Sequence, residues 1–356
     1  MAIPFIIAGL VAAAAAVGGK KAYNGHQIKS EADEILKKAK SQFDQRKEHM
    51  DASSKISEEK FERLGKLELD IGESFNEFKI ISNELLKQLK QDGNKDLKLS
   101  ISKPKLEKIE EYTILTVEFL STAIASGVTG VVTGFAVYSG VMAFAAASTG
   151  TPIVALSGAA ASNATMAAIG GGSLASGGWG MAGGAMFLGA AAIAPTFAIG
   201  GYAYENYAEK ALKKATKTTR EINDAIIKMD LCEQHLANIN NYVDRIYSLL
   251  DSLNQTFNTY FHALKEMHEK IVILGGGRAS SDVSQESLRI INNGYLMAAI
   301  MTDIITTPIF KPKNVAEDGV VEIEKDRDGF NVLNKEEIDN ILATKEGEYR
   351  EFNSKA

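Results

Sequence analysis

From Met229 onward apolar residues recur every seven positions: Met229, Leu236, Val243, Leu250, Phe257, Leu264 and Ile271. A companion series follows three residues behind: Cys232, Ile239, Ile246, Leu253, Tyr260 and Met267. Alternating steps of three and four hold both series on one helix face, and a sustained repeat of seven is a coiled-coil seam. The pattern predicts a helical arm over 205–274, about 105 Å long if unbroken. An arm of that length needs a partner. The nearest candidate is an earlier helical stretch over 22–118, where Leu64, Leu67, Ile71, Phe75, Phe78, Ser82, Leu85 and Leu89 also step by three or four. A weaker stripe precedes it at Ile28, Ala32, Ile35, Ala39 and Phe43, then fades between Arg46 and Glu59, which predicts a bend or break there. Asp92-Gly93-Asn94 reads as a turn and Pro104 as the start of a new helix. The expected arrangement is an antiparallel pairing of the two arms.

Between the arms the periodicity disappears. Phe119 to Tyr204 is 86 residues without a single Asp, Glu, Lys, Arg or His. Charged residues are 24% of the chain, so this gap is a designed feature. Its first piece, Phe119 to Ala147, and its last, Gly180 to Tyr204, are each long enough to cross a bilayer. Gly130 and Gly134 form one small-xxx-small step, and Gly180 and Gly184 form another. Such steps allow close helix approach in lipid. The middle, Pro152 to Trp179, is poorer in large side chains and carries Ser157, Ser162, Asn163 and Thr165, which are candidates to line a lumen. Lys103, Lys105 and Lys108 precede the segment, and Lys210, Lys213, Lys214, Lys217 and Arg220 follow it. Basic flanks on both sides predict an even number of crossings with both arms on the cytoplasmic side. The alternative is a small-residue head buried within the protein.

Residues 1–21 form a second apolar stretch: Ala2 to Gly19, followed by Lys20 and Lys21. Eighteen helical residues span about 27 Å, enough for the hydrocarbon layer. An anchor, a helix that inserts later, a cleaved signal and a core helix are all compatible with it. Toward the C-terminus, Asp282 and Gln285 suggest a capping box opening a third bundle helix over 282–307. Pro308 and Pro312 end that helix. Residues 311–356 carry 12 acidic and 8 basic side chains and are expected to be a flexible acidic tail.

Composition narrows the chemistry. The net charge of −6 gives no footprint for nucleic acid. The single cysteine, Cys232, excludes an internal disulfide and falls on the seam as a small core residue. His235, His262 and His268 have no ligand set at metal spacing. Asp326-Arg327-Asp328-Gly329 imitates a calcium loop, but Lys335 stands where a bidentate Glu would be needed, so it reads as a turn. No nucleophile–base or paired-carboxylate spacing stands out. The expectation is a non-enzymatic protein with no cofactor and no metal.

The run from Ala155 to Met186, with Gly170-Gly171-Gly172 and Gly177-Gly178-Trp179 inside it, resembles a group of bacterial glycine-rich helical membrane proteins to which no activity is attached. The stretch from Met1 to Tyr23 is similar to theirs as well. In layout, though not in sequence, residues from about 28 to 275 resemble the α-helical pore-forming toxins of the cytolysin A and tripartite enterotoxin types. The layout resemblance implies an apolar hairpin carried between long helices.

The expected fold is therefore all-α: a long antiparallel helical, coiled-coil bundle with a central apolar Gly/Ala-rich hairpin. The expected function is membrane embedding and permeabilisation through 119–204. A stable membrane-anchored coiled-coil scaffold binding a protein partner, and a soluble helical protein with the segment buried, are the alternatives. The expected partners are a lipid bilayer and either further copies of the chain or a helical protein. The expected location is a bacterial inner membrane, with soluble-to-membrane switching as a variant.

Overall fold

The computed structural model describes residues 25–91, 98–126, 131–149, 208–273, 281–315 and 321–355. Among these the protein is all-α, with long packed helices and one small antiparallel sheet. The elements are α1 (Gly25–Gln91), α2 (Lys103–Ser126), α3 (Val131–Thr149), α4 (Ala208–His268, continued by a π-turn over Glu269–Ile273), α5 (Ser281–Ile305), β1 (Pro312–Val315), β2 (Val321–Ile323) and α6 (Lys335–Lys355). Chain contacts divide them into two compact units. Unit 1 comprises residues 1–56 and 191–237, and unit 2 the remainder.

α1 runs through the expected break without interruption. The sequence stripe fades there because the buried positions are filled by unlike residues. Met50 and Ser57 continue the repeat of seven between Phe43 and Leu64, and all four are buried. Arg46 is three-quarters buried near the same face and is held by acids on α4. The helix stops at Gln91, immediately before the turn chemistry of Asp92-Gly93-Asn94. Pro104 lies in the first turn of α2, where a missing N–H costs nothing.

In unit 1, Arg46 donates to Asp230 through Nε and to Glu233 through Nη2. Ala32, Ala39 and Phe43 of α1 and Ala215, Ile222, Met229, Cys232 and Leu236 of α4 are buried.

In unit 2, Lys60 pairs with Asp244, and the Arg63 guanidinium lies 3.6 Å from the centroid of the Tyr247 ring. Further along, His268 Nε2 lies 2.7 Å from Glu84 Oε2. In each of these contacts, as in Arg46–Asp230, the partners are separated by 184 residues. A constant difference means that both numbers rise together, so α1 and α4 run parallel and in register. The expected antiparallel pairing of the arms is corrected. A seam of apolar residues has no direction, so the charged flanks and the connection choose it. Here α2 supplies the antiparallel return: Lys79 pairs with Glu110 and Gly72 packs on Thr116, so one number falls as the other rises.

The rest of unit 2 fills in around this pair. α5 runs with α2: Ser100 N–H donates to Asn292, and Lys108 pairs with Asp303. α5 begins within two residues of the predicted start and buries Ile291, Tyr295, Ala298, Ile300, Met301, Ile304 and Ile305. An aromatic cluster of Phe75, Phe78, Phe257, Phe261 and Tyr295 joins α1, α4 and α5 at centroid distances of 5.1–5.9 Å.

The described residues of the expected flexible tail, 311–315 and 321–355, are instead folded onto this bundle. β1 pairs with β2, and a tight hairpin turn follows in which Asp326 Oδ1 accepts the N–H groups of Asp328 and Phe330. Gly329 has φ 87°, a left-handed conformation that favours glycine. Asn334 donates to the Pro308 carbonyl at 3.1 Å, and its own carbonyl accepts the N–H of Ile338, starting α6. α6 runs parallel to α4 through Tyr242 and Arg245 on Asp339, Thr256 on Tyr349, and Tyr260 on Phe352. Composition concealed this helix. Glu336, Glu337, Glu346 and Glu351 are exposed, while Ile338, Leu342 and Lys345 are buried.

Candidate functional site

The described part of the charge-free segment is α3, together with the end of α2. Of Phe119–Ala147, expected as one crossing, the described residues fall in α2 and α3, and α3 is packed inside unit 2. Phe135, Val137 and Val141 are fully buried, and Tyr138 and Met142 are 1% exposed. Phe119 lies 4.7 Å from Phe135 and 5.4 Å from Tyr138, centroid to centroid. β1 and β2 lie against the same helix. A Cβ on Gly140 would come within 2.7 Å of the Pro308 backbone, so glycine is what lets α3 touch the chain leaving α5. Among the described residues no helix is long and apolar enough to cross a membrane.

One charged side chain sits beneath α3. Glu68 of α1 is 1% exposed, and one of its oxygens is 3.4 Å from the Ser139 hydroxyl. Ser139 also donates to the Ile305 carbonyl at 3.1 Å, its better hydrogen bond. Tyr112 of α2 donates to the backbone carbonyl of Glu68. Burial pushes the Glu68 carboxyl well above the usual carboxylate range, and the long contact with Ser139 offsets this only in part. Burial also raises the Tyr112 phenol, and the nearby Glu68 charge adds to the effect. The seat of α3 therefore includes a buried acid whose pKa is raised by its burial. Sequence reading missed it because Glu68 looks like any surface glutamate of a charged helix. The available signal was its position: seven residues separate Phe61, Glu68, Phe75, Ser82 and Leu89 along one line.

A second buried ion cluster fastens α6. Lys345 Nζ, with a side chain 7% exposed, lies 2.8 Å from Asp303 and 2.8 Å from Glu348. Lys108 approaches Asp303 from the other side at 2.6 Å. Burial pushes the Asp303 carboxyl up, but the hydrogen bonds from Lys108 and Lys345 outweigh it, and its pKa ends below the ordinary value. Three helices, α2, α5 and α6, are joined through this one carboxylate.

The seam residues Met229, Leu236, Val243, Leu250, Phe257 and Leu264 are all buried. Ile271, in the π-turn, is half-buried. Tyr260 leaves the seam to meet Phe352, and Phe261 takes its place against Phe78. Cys232 is fully buried, and its thiol is pushed up to about 12 by burial, which makes it unreactive. Among the described residues no group of His, Cys, Asp and Glu could hold a metal ion. Gly134 is buried in α3. Gly130, Gly180, Gly184, Ser157, Ser162, Asn163 and Thr165 lie outside the described residues, as does the segment 1–21.

No family model matches this chain, and neither the search of curated proteins nor that of solved structures found a match.

Proposed function

We propose that the protein is a membrane-attached helical protein whose parallel α1–α4 coil is a stalk. The supporting observation is register. Arg46 meets Asp230 at an offset of 184, and α1 and α4 begin at Gly25 and Ala208, an offset of 183. The two helices thus start at one level of unit 1. Each is preceded in the sequence by an uncharged apolar run, Ala2–Gly19 before α1 and Gly180–Tyr204 before α4. Antiparallel arms would have sent the two runs to opposite ends. In this reading unit 2 is where a helical protein or a second copy would bind.

Permeabilisation is the second reading, and Glu68 favours it. An uncharged 19-residue helix held over a buried acid is less firmly seated than one held over apolar side chains. The layout resemblance to α-helical pore-forming toxins points the same way.

Dye-loaded liposomes separate the two. A stalk floats with the vesicles and releases no dye. Release by the full chain, slowed at pH 8 by Glu68→Gln, would replace the anchored reading with permeabilisation. Neither flotation nor release would remove the membrane reading altogether.

A further inference from the structure

The shared starting level of α1 and α4 has a chemical consequence for unit 1. α4 opens with Lys210, Lys213, Lys214, Lys217 and Arg220 and has no acidic residue between the first and the last of these. Lys213, Lys217 and Arg220 are exposed. At the offset of 184, Arg220 falls level with Leu36, so Lys37, Lys38 and Lys40 of α1, all exposed, stand just beyond it. The coil is closed at this level: Ala215 is fully buried, and Ala32 and Ala39 are 2% exposed. Small residues fill the buried face here, and the basic side chains are left outside. Residues 25–40 and 208–224 together carry nine basic and six acidic residues, in a chain whose net charge is −6. Lys217 pairs with Glu221 at 3.6 Å on the exposed surface, an arrangement too weak to occupy it.

We propose that this basic collar is a docking surface for an anionic lipid headgroup layer. The inference rests on the membrane-attached reading and adds its polarity and its lipid preference. The argument for lipid over another anionic partner is continuity. Gly19 lies six residues before α1 and Tyr204 four residues before α4, so the apolar runs end where the collar begins. Basic residues at the foot of apolar segments meet the negative leaflet surface, each adding attraction that fades within a Debye length. The coil then stands on the basic side of the bilayer surface.

The test uses the purified full-length chain and flotation with two kinds of vesicle, neutral phosphatidylcholine and phosphatidylcholine mixed with phosphatidylglycerol. The variant combines Lys38→Gln, Lys213→Gln, Lys217→Gln and Arg220→Gln, all at exposed positions, and its helicity is checked by circular dichroism. Wild-type protein should bind the anionic vesicles more tightly by on the order of a hundredfold at low salt. High salt and the variant should each remove most of that preference while leaving binding to neutral vesicles in place. A variant that keeps the full preference overturns the collar. So does wild-type protein that binds both vesicles equally, although the membrane-attached reading survives that result. Capture of short duplex DNA by the wild type, without any vesicle preference, also overturns it in favour of nucleic acid. No flotation with either vesicle overturns the collar and the membrane-attached reading together.

Discussion

Replacing Glu68 by glutamine keeps the shape of the side chain and removes its titratable proton. Glu68 is 1% exposed beneath α3, and burial raises its pKa well above the ordinary value. In the unfolded chain the same carboxyl ionises near its ordinary pKa of about 4.3. The folded state therefore holds a proton that the unfolded state releases. The stability tied to that proton is complete below the ordinary pKa and is lost as pH rises toward the folded-state value. For one proton the slope cannot exceed about 1.4 kcal/mol per pH unit. In a unit of this size that corresponds to at most about 3–6 °C of melting temperature per pH unit. Asp303 behaves in the opposite sense. Its lowered pKa contributes stability above its unfolded value, and this is lost only in stronger acid. Thermal melts of wild type and Glu68→Gln from pH 5 to pH 8 isolate the one group, because every other contribution cancels in the difference. The wild type should fall progressively below the variant as pH rises. Parallel curves across the whole range would refute the reasoning, because they would mean that Glu68 ionises in the folded protein as freely as in water.

Two glycines should respond with opposite signs. A Cβ on Gly294 of α5 would lie 2.3 Å from the Phe78 ring, which the aromatic cluster holds in place, so Gly294→Ala should destabilise by about 1–2 kcal/mol in denaturant unfolding. Gly347 of α6 has nothing within 4 Å of that position, so Gly347→Ala should stabilise by about 0.5–1 kcal/mol through helix propensity alone. Lys345→Met removes the buried cation from Asp303 and Glu348; a loss of about 3 kcal/mol, with earlier proteolysis of residues 335–355, is expected, and unchanged protection would show that the ion cluster does not fasten α6. Cysteines at Lys60 and Asp244 should be joined by a short bifunctional maleimide within one chain, whereas a pair at Lys60 and Lys228 should not. The reverse result would refute the constant offset of 184 on which the parallel register rests.

The helices themselves were largely legible in the residue pattern. A stripe at 3.6-residue spacing is local information, and it marked α1, α4 and α5 as helical. The same local logic explains the misses. The stripe through Arg46 and Ser57 looked broken because it was read in apolar residues alone, whereas a paired guanidinium and a small hydroxyl can occupy the same helix face. α6 was hidden by acidic residues on its outer face, although Asn334 and Glu337 mark its start and Ile338, Leu342 and Lys345 mark its inner face.

Two matters were decided only by the tertiary structure. Helix direction was one: a seam packs equally well either way. What separates the two directions is the ion pairs at a constant separation of 184 residues, together with the antiparallel return of α2. The other was the place of α3. A charge-free helix is equally suited to lipid and to a protein interior, because neither asks it for a charge or a hydrogen bond beyond its own backbone. Packing against Phe119, Pro308 and the small sheet, over the buried Glu68, put it in the interior of unit 2.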